Sequence, residues 1–475
     1  MGPSRLGRRT VFRKKRREIA PTLWVPSSAL PTIPANTFYD RVEAVLAQAE
    51  FGEQVRALCA PFYAMDASKG GQPGIDPEVY FKMLMVGFFE NLQSERAIAA
   101  RCADSLAIRA FLRYELTEAT PHHSSLTVIA QRLPVDVYDA VFGLFLRVLR
   151  EKKLLRGRRL AIDTSVIEAN ASLRSLEHRL TGENYRKYVK RLAKAAGVDV
   201  ADPKAVSTFD RKRKGRTTSN TEWVNPHDPD AKVGPDKKGV TRMTYKPEHV
   251  VDMDTGALLH TDILPGDQAD GAALAERIDE VEERVNHGLS DPATPDEPVQ
   301  DEMQCTELVA DMGYFTPTQL ALLQARAVRT VIPDPVPRRR LDKLSDEERR
   351  AVLAARRSAR SESGRTLMRR RGEFAERPFA HILDQGGGRR ATHRGRVNIL
   401  KRHLIRSACY NLSLLLRTSG GPGTLKQTWA ASAATFAVVM RSIPFVVRTS
   451  KRLKALLPQY RRFADSSFHT AIAAF

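Results

Sequence analysis

Between about residues 37 and 155 the apolar positions recur every third or fourth residue. The stretches "PEVYFKMLMVGFFENL", "SERAIAARCADSLAIRAFLRY" and "PVDVYDAVFGLFLRVLREK" all carry this spacing, which lays one apolar face along an α-helix. Such faces must bury one another, so the region predicts a helical bundle. Ser94 and the run His123, Ser124, Ser125 stand where helices begin. Short polar side chains there cap free amides, and the same amides can receive a phosphate.

At Arg159 the period changes. "RRLAID" reads as a short apolar strand, and "YKPEHVVDMDTGALLHTDILPG" as two strands joined by a turn at "DTG". An amphipathic helix follows in "DGAALAERIDEVEERVN", with Leu274, Ile278, Val281 and Val285 on one face. Then come the strand "ELVADMGY", the helix "TPTQLALLQARA" and the strand "RTVIPD". Strands followed by alternating helices and strands predict an α/β sheet with covered faces, whose functional groups collect at strand ends. Two polar stretches interrupt it. Residues 171–243 are rich in Lys, Arg, Asp and Pro and read as loop. Residues 335–371 are intensely basic and hold one helix start, a capping box of Ser345 with Glu348.

Charge sharpens the picture. The 475-residue chain carries 76 Lys and Arg against 55 Asp and Glu, a net +21, which points to a polyanionic partner. No apolar run reaches the roughly 18 residues a membrane span needs, and "VYFKMLMVGFF", interrupted by Lys82, reads as a core helix. Nucleic acid is therefore the expected partner. The basic start "MGPSRLGRRTVFRKKRRE" lacks an apolar signal core and suits an arm along phosphates, or an acid-poor transit peptide. Cys59, Cys102, Cys305 and Cys409 have no disulfide or zinc spacing, so reduced thiols inside a cell are expected.

Against this basic background, acids at strand ends stand out. Asp163 closes "RRLAID", Asp311 follows "ELVA", and "RRRGEFAERPFAHILDQGGG" offers Glu373, Glu376 and Asp384. Of these Glu376 is preferred: Pro378 disfavours helical geometry at Arg377, so either a helix starts there with Glu376 at its entry, or a continuous helix is kinked. Magnesium prefers oxygen ligands and binds through one or two carboxylates plus substrate phosphates. Carboxylates meeting at strand ends can serve phosphoryl transfer with two such ions, while capping of turns is the plainer role for Asp163 and Asp311. His249 and His260 are expected to be satisfied or exposed, with Lys246 and His249 within possible reach of a phosphate. Trp223 plugs a loop in preference to stacking on a base.

The stretches "LAIDTSVIEANAS", "YKPEHVVDMDTGALL", "LVADMGYF" and "RRRGEFAERPFAHILDQGGGRR", in this order, resemble the DDE transposases of bacterial insertion sequences, most nearly the InsH-like group of the insertion-sequence-five superfamily. "GQPGIDPEVYFKMLMVGFFENLQSERAIAARCADSLAIRAFL" and "TPHHSSLTVIAQRL" resemble the helical N-terminal domain of the same group. The resemblance implies an α/β, ribonuclease H-like mixed sheet with flanking helices behind an all-helical N-terminal domain. It divides the chain into a basic arm (1–36), a helical DNA-binding domain (37–155), a catalytic domain (156–418) and a C-terminal tail (419–475). It implies Asp163, Asp311 and Glu376 as catalytic and metal-holding acids, with Mg²⁺, or Mn²⁺ in its place, as the working cation. The partner would be double-stranded DNA, as element ends and as target, bound by a homodimer in the bacterial cytoplasm at the nucleoid. Arg369, Arg370 and Arg371 upstream of the last acid, and Arg389, Arg390, Arg394, Lys401 and Arg402 downstream, would track the DNA backbone. Two positions depart from many relatives: Met312 stands where a Lys follows the second acid, and His122 where an Asp precedes "HSS". The usual Tyr, Arg and Lys spacing around the last Glu is also unmatched. A non-catalytic DNA-binding derivative and a nuclease that does not join strands are the competing readings.

Overall fold

Seven helices lie in the N-terminal part of the described chain, formed by the three-and-four apolar spacing: α1 (Thr37–Gln48), α2 (Phe51–Cys59), α3 (Pro77–Phe89), α4 (Glu95–Asp104), α5 (Leu106–Phe111), α6 (His123–Arg132) and α7 (Val135–Glu151). The structure is a computed structural model describing residues 37–63, 74–214, 219–236, 238–286, 302–336, 340–419 and 423. The expected basic arm, and the tail apart from 419 and 423, lie outside the described residues. Helix α3 is buried without a break from Tyr80 to Gly87. Its one cation, Lys82, is tolerated there because Glu43 and Glu78 each hold its ammonium at 2.7 Å. Ser94 caps α4 by accepting the amide of Ala97 at 3.2 Å, the ordinary role for such a residue. At α6 the cap is His122, whose Nδ1 accepts the Ser124 amide at 3.4 Å and shares a 2.8 Å hydrogen bond with the Ser124 hydroxyl. The histidine thus does the capping work an aspartate would do at that position.

The mixed sheet begins with β1 (Arg159–Thr164) and β2 (Ile167–Glu168). The next segment, read from the sequence as loop, is instead a folded lobe: β3 (Glu177–His178), α8 (Tyr185–Ala195), α9 (Pro203–Lys212) and β4 (Trp223–Val224), with β3 and β4 paired antiparallel. Its apolar residues are few but all on one side of α8, and the charge on the other side hid the period. Trp223 plugs the lobe, as expected: it is buried, with Tyr185, Tyr188 and His178 around it at ring distances of 5.3–5.5 Å. Truncating Trp223 to Ala should cost the lobe about 3 kcal/mol or more. Amide exchange in α8 should then quicken while that of β1 stays protected; equal protection in both would contradict the plug.

Beyond the lobe, β5 (Lys232–Pro235), β6 (Thr241–Asp252) and β7 (Leu258–Pro265) are followed by α10 (Leu274–Asn286), β8 (Glu307–Val309), α11 (Pro317–Ala325) and β9 (Arg329–Val331). Strand β6 runs antiparallel to both β1 and β7, while β1, β8 and β9 are mutually parallel, giving the spatial order β7-β6-β1-β8-β9. This is a mixed sheet with flanking helices behind an all-helical N-terminal region, as expected. The chain ends its described part with α12 (Asp346–Arg360), α13 (Glu362–Phe379) and α14 (Arg396–Thr418). The Ser345–Glu348 capping box forms, but the basic stretch around it is helix throughout α12 and into α13. Helix α13 covers one sheet face, its Leu367 and Ala375 packing on Ala161, Met253, Val309 and Val331.

Pro378 does not start a helix. It lies inside α13, and the chain continues at once into a π-helical turn, Ala380–Gln385. Proline removes one amide from the ladder, and the wider turn after it re-pairs the backbone, with the Ala380 amide donating to Arg377 and Glu376 carbonyls. The continuous-helix alternative is the one that forms.

Candidate active site

Asp163 sits at the end of β1, directly opposite His249 of β6, so both side chains leave the sheet on the face that α13 covers. His249 is fully buried, stacked 4.1 Å from the Phe379 ring and sharing a 2.8 Å Nε2–Nε2 hydrogen bond with His403 of α14. It therefore cannot meet a phosphate and is a packing element behind Asp163. His260 is likewise buried.

Asp311 comes two residues after β8, the parallel neighbour of β1. It caps a short 3₁₀ turn, accepting the Gly313 amide at 2.9 Å. The plain capping role is thus real, and it fixes the carboxylate's direction. A Cβ built on Gly313 would stand 3.1 Å from both Asp311 Oδ1 and Asp270 Oδ2. Glycine there keeps open a space between two carboxylates. Asp270 was missed in the sequence because it lies in a turn with no periodic signal; Lys246, considered for phosphate contact, instead holds Asp270 at 3.0 Å.

The charges interact. Burial pushes the Asp163 carboxyl up to about 6, the Arg371 guanidinium opposes this, and the neighbouring charge of Asp311 raises it further. On the opposite face Glu248 is pushed up to about 7, by burial first, against the pull of Arg277. Both groups hold a proton more tightly in the folded protein than when unfolded. Their contribution to stability is therefore complete below about pH 4 and fades as pH rises through about 6 to 7. In chelator, Asp163→Asn should flatten the lower part of that decline in a urea-unfolding series; an unchanged profile would contradict the assignment.

Arg371 reaches from α13 to place Nη1 3.0 Å from Asp163 Oδ2. A cation already rests on the carboxylate that the sequence assigned to metal. Glu376, one turn further on, is exposed on α13, away from the helix side that carries Leu367, Ala375 and Phe379 against the sheet. Among the described residues no group of three or more His, Cys, Asp or Glu side chains is gathered closely enough to hold a metal ion. The structure thus brings Asp163 and Asp311 together and leaves Glu376 apart.

The basic residues divide likewise. Arg369, Arg390 and Arg394 are exposed. Arg370 donates to the Met253 carbonyl at 3.1 Å, and Arg389 is held by Asp384 and by Ser165 Oγ at 2.7 Å, just past Asp163. Lys401 and Arg402, expected along the DNA backbone, turn inward instead. Lys401 is buried and donates to the Ala130 carbonyl of α6 at 2.9 Å, and Arg402 lies 3.8 Å from Glu95 of α4. They tie α14 to the helical bundle, since α14's apolar stripe turns that side of the helix into the junction. Val397, in the first turn of α14, is exposed.

Comparison with known proteins gives two family matches. Residues 27–132 match the family described as "Transposase domain (DUF772)", and residues 200–412 the family described as "Transposase DDE domain". No curated protein matches the chain. Among solved structures the chain is similar to a "Mos1 transposase paired-end complex with left transposon end" at 11% identity and TM-score 0.18, covering 68% of this chain and 83% of that one. A pre-cleavage Mos1 transpososome is similar at 10% identity and TM-score 0.16, covering 78% and 97%.

Proposed function

This chain belongs to the DDE transposases of insertion-sequence type, and from that premise we propose that it binds the terminal inverted repeats of its own element, cleaves the ends and joins them to target DNA. The observation that carries the reading is the pair Asp163 and Asp311, set at the ends of parallel strands β1 and β8 and close enough for their charges to interact. Enzymes of this class use divalent metal ions, and the residues fit one. A carboxylate pair of coupled charge, already attracting the guanidinium of Arg371, is a hard-oxygen donor set of the kind Mg²⁺ takes. Asp163 and Asp311 would hold the ion, while Glu376 stands apart from them on α13. When bound, the metal activates the attacking oxygen and stabilises the leaving one in phosphoryl transfer.

The chain's own groups do the rest. Asp311 is aimed by its cap on Gly313, and Asp163 by the Thr164 amide, which donates to it at 3.0 Å. Exposed Arg369, Arg390 and Arg394 offer phosphate contacts around this sheet end, and Arg389 stiffens the chain beyond Asp163. A dimer would let two ends be paired before joining.

A second reading, a decayed derivative that binds DNA without cutting it, is favoured by one observation: Glu376 is not gathered with the two aspartates. One experiment separates the readings. Duplexes carrying the inverted repeats that flank the reading frame are incubated with protein and Mg²⁺, alongside pre-cut ends and a target plasmid. Cleavage with joining supports the transposase; cleavage without joining means a nuclease; salt-sensitive binding with neither means the decayed form.

A further inference from the structure

The lobe between β2 and β5 is more than a spacer. On α8 the residues Arg186, Lys187, Lys190, Arg191 and Lys194 fall within an arc of about 140° at 3.6 residues per turn. The opposite side of the helix holds Tyr185, Tyr188, Val189 and Leu192, of which Val189 is buried and the tyrosines pack on Trp223. The basic stripe therefore points away from the lobe's own core, into solvent.

A solvated face normally carries counterions of its own. Here four acids of the lobe are already engaged. Glu183 holds Arg191 at 2.9 Å; Asp199 accepts the Ala201 amide at 2.8 Å; Asp202 caps α9; and Asp210 binds the Tyr185 hydroxyl and Arg213. Among the described residues, Arg186, Lys187, Lys190 and Lys194 enter no ion pair. By contrast three arginines of the sheet domain are matched, Arg277 with Glu248, Arg326 with Glu282 and Arg356 with Asp334. Four unmatched cations on about two and a half turns of one rigid helix form a concentrated positive field.

The lobe's position says what meets that field. It leaves the sheet just beyond Asp163, at the catalytic end of β1, and its stem runs beside the basic segment 389–394. Glu168 pairs with the Arg390 backbone, and Arg394 Nε donates to the Asn170 carbonyl at 3.1 Å. Exposed arginines of that segment and the stem of the lobe that carries α8 thus lie at the same end of the sheet. We infer that α8 is a sequence-independent clamp on the sugar-phosphate backbone of double-stranded DNA lying across the Asp163 end of the sheet. This rests on the proposed transposase reading and names a surface that reading does not. Lysines at 190 and 194 and the arginine at 186 stand about 6 Å apart along the helix, so one strand's successive phosphates can be met in turn. Contacts to phosphate fix position and strengthen binding without choosing a sequence.

The test is the full-length triple variant Arg186→Gln, Lys190→Gln, Lys194→Gln, glutamine being close to lysine and arginine in helix propensity. Affinity for the element-end duplex and for an unrelated duplex is measured from about 50 to 300 mM salt. Each lost phosphate contact lowers the slope of log affinity against log salt by about 0.9. The expected result is a slope reduced by about 2 to 3 and at least a tenfold loss of affinity, equal for both duplexes, with α8 amide protection unchanged. Each single variant should lower the slope by about 0.9, which keeps the test valid if the triple variant loosens the lobe. Slopes and affinities equal to the parent's would overturn the clamp while leaving the transposase reading intact. So would a loss confined to single-stranded RNA or to anionic vesicles. A parent that shows no salt-dependent duplex binding would overturn both.

Discussion

Replacing Asp163 with Asn should lower Mg²⁺-dependent cleavage of the element's end by about a thousandfold or more, equivalent to about 4 kcal/mol of transition-state stabilisation. DNA binding should persist, because the proposed backbone contacts are made by exposed Arg369, Arg390 and Arg394 and not by Asp163. Asp311→Asn should behave alike. Asparagine caps a helical turn as well as aspartate does, so the Gly313 amide keeps its acceptor and the local fold survives the loss of charge. Single-turnover cleavage beside a filter-binding assay reads both effects. Variants that cut at the parent's rate would remove the catalytic role of the pair, and variants that neither cut nor bind would show that the change had merely disturbed the fold.

Two glycines on α13 should behave in opposite ways. A Cβ on Gly364 would lie 1.9 Å from the Ser358 carbonyl oxygen, and backbone cannot rotate away as a side chain can. Gly364→Ala therefore should force α12 and α13 apart at their junction, at a cost of about 3 kcal/mol. Because α13 delivers Arg371 and Glu376, a displacement of about 1 Å there should slow cleavage about a hundredfold without altering any carboxylate. Gly372, eight residues on, has nothing within 4 Å of a built Cβ, so Gly372→Ala should stabilise the helix by about 1 kcal/mol. Urea unfolding of the two variants decides the matter. Equal stability would mean that the packing between α12 and α13 does not position the site.

The architecture was legible wherever a period ran unbroken. The stripe Leu274, Ile278, Val281, Val285 is buried as read, the turn after Asp252 joins β6 to β7, and the acids at 163 and 311 do stand beyond neighbouring strands. What stayed hidden has physical causes. The lobe's core is a single aromatic box, too small to print a long apolar pattern through so many charges. Pro378 reads locally as a boundary, yet Ala375 before it and Phe379, Ile382 and Leu383 after it are buried, and that packing carries the helix through. Lys401 and Arg402 look like any basic pair until α14 is laid against the bundle, where their heads meet Ala130 and Glu95. Arg371 looked like one of three adjacent phosphate contacts, whereas helix geometry sends it alone to Asp163. Single-residue direction of this kind depends on long-range packing, which local pattern does not encode.

The central claim is that Asp163 and Asp311 form one divalent-cation site. Equilibrium Mn²⁺ binding, followed by electron paramagnetic resonance with the element-end duplex present, tests it most directly in the parent and in the Asp163→Asn, Asp311→Asn and Glu376→Gln proteins. The account predicts tight binding in the parent, at least tenfold weaker binding in each aspartate variant, parent-like binding in Glu376→Gln, and DNA affinity unchanged throughout. Parent-like Mn²⁺ binding in the two aspartate variants would contradict it.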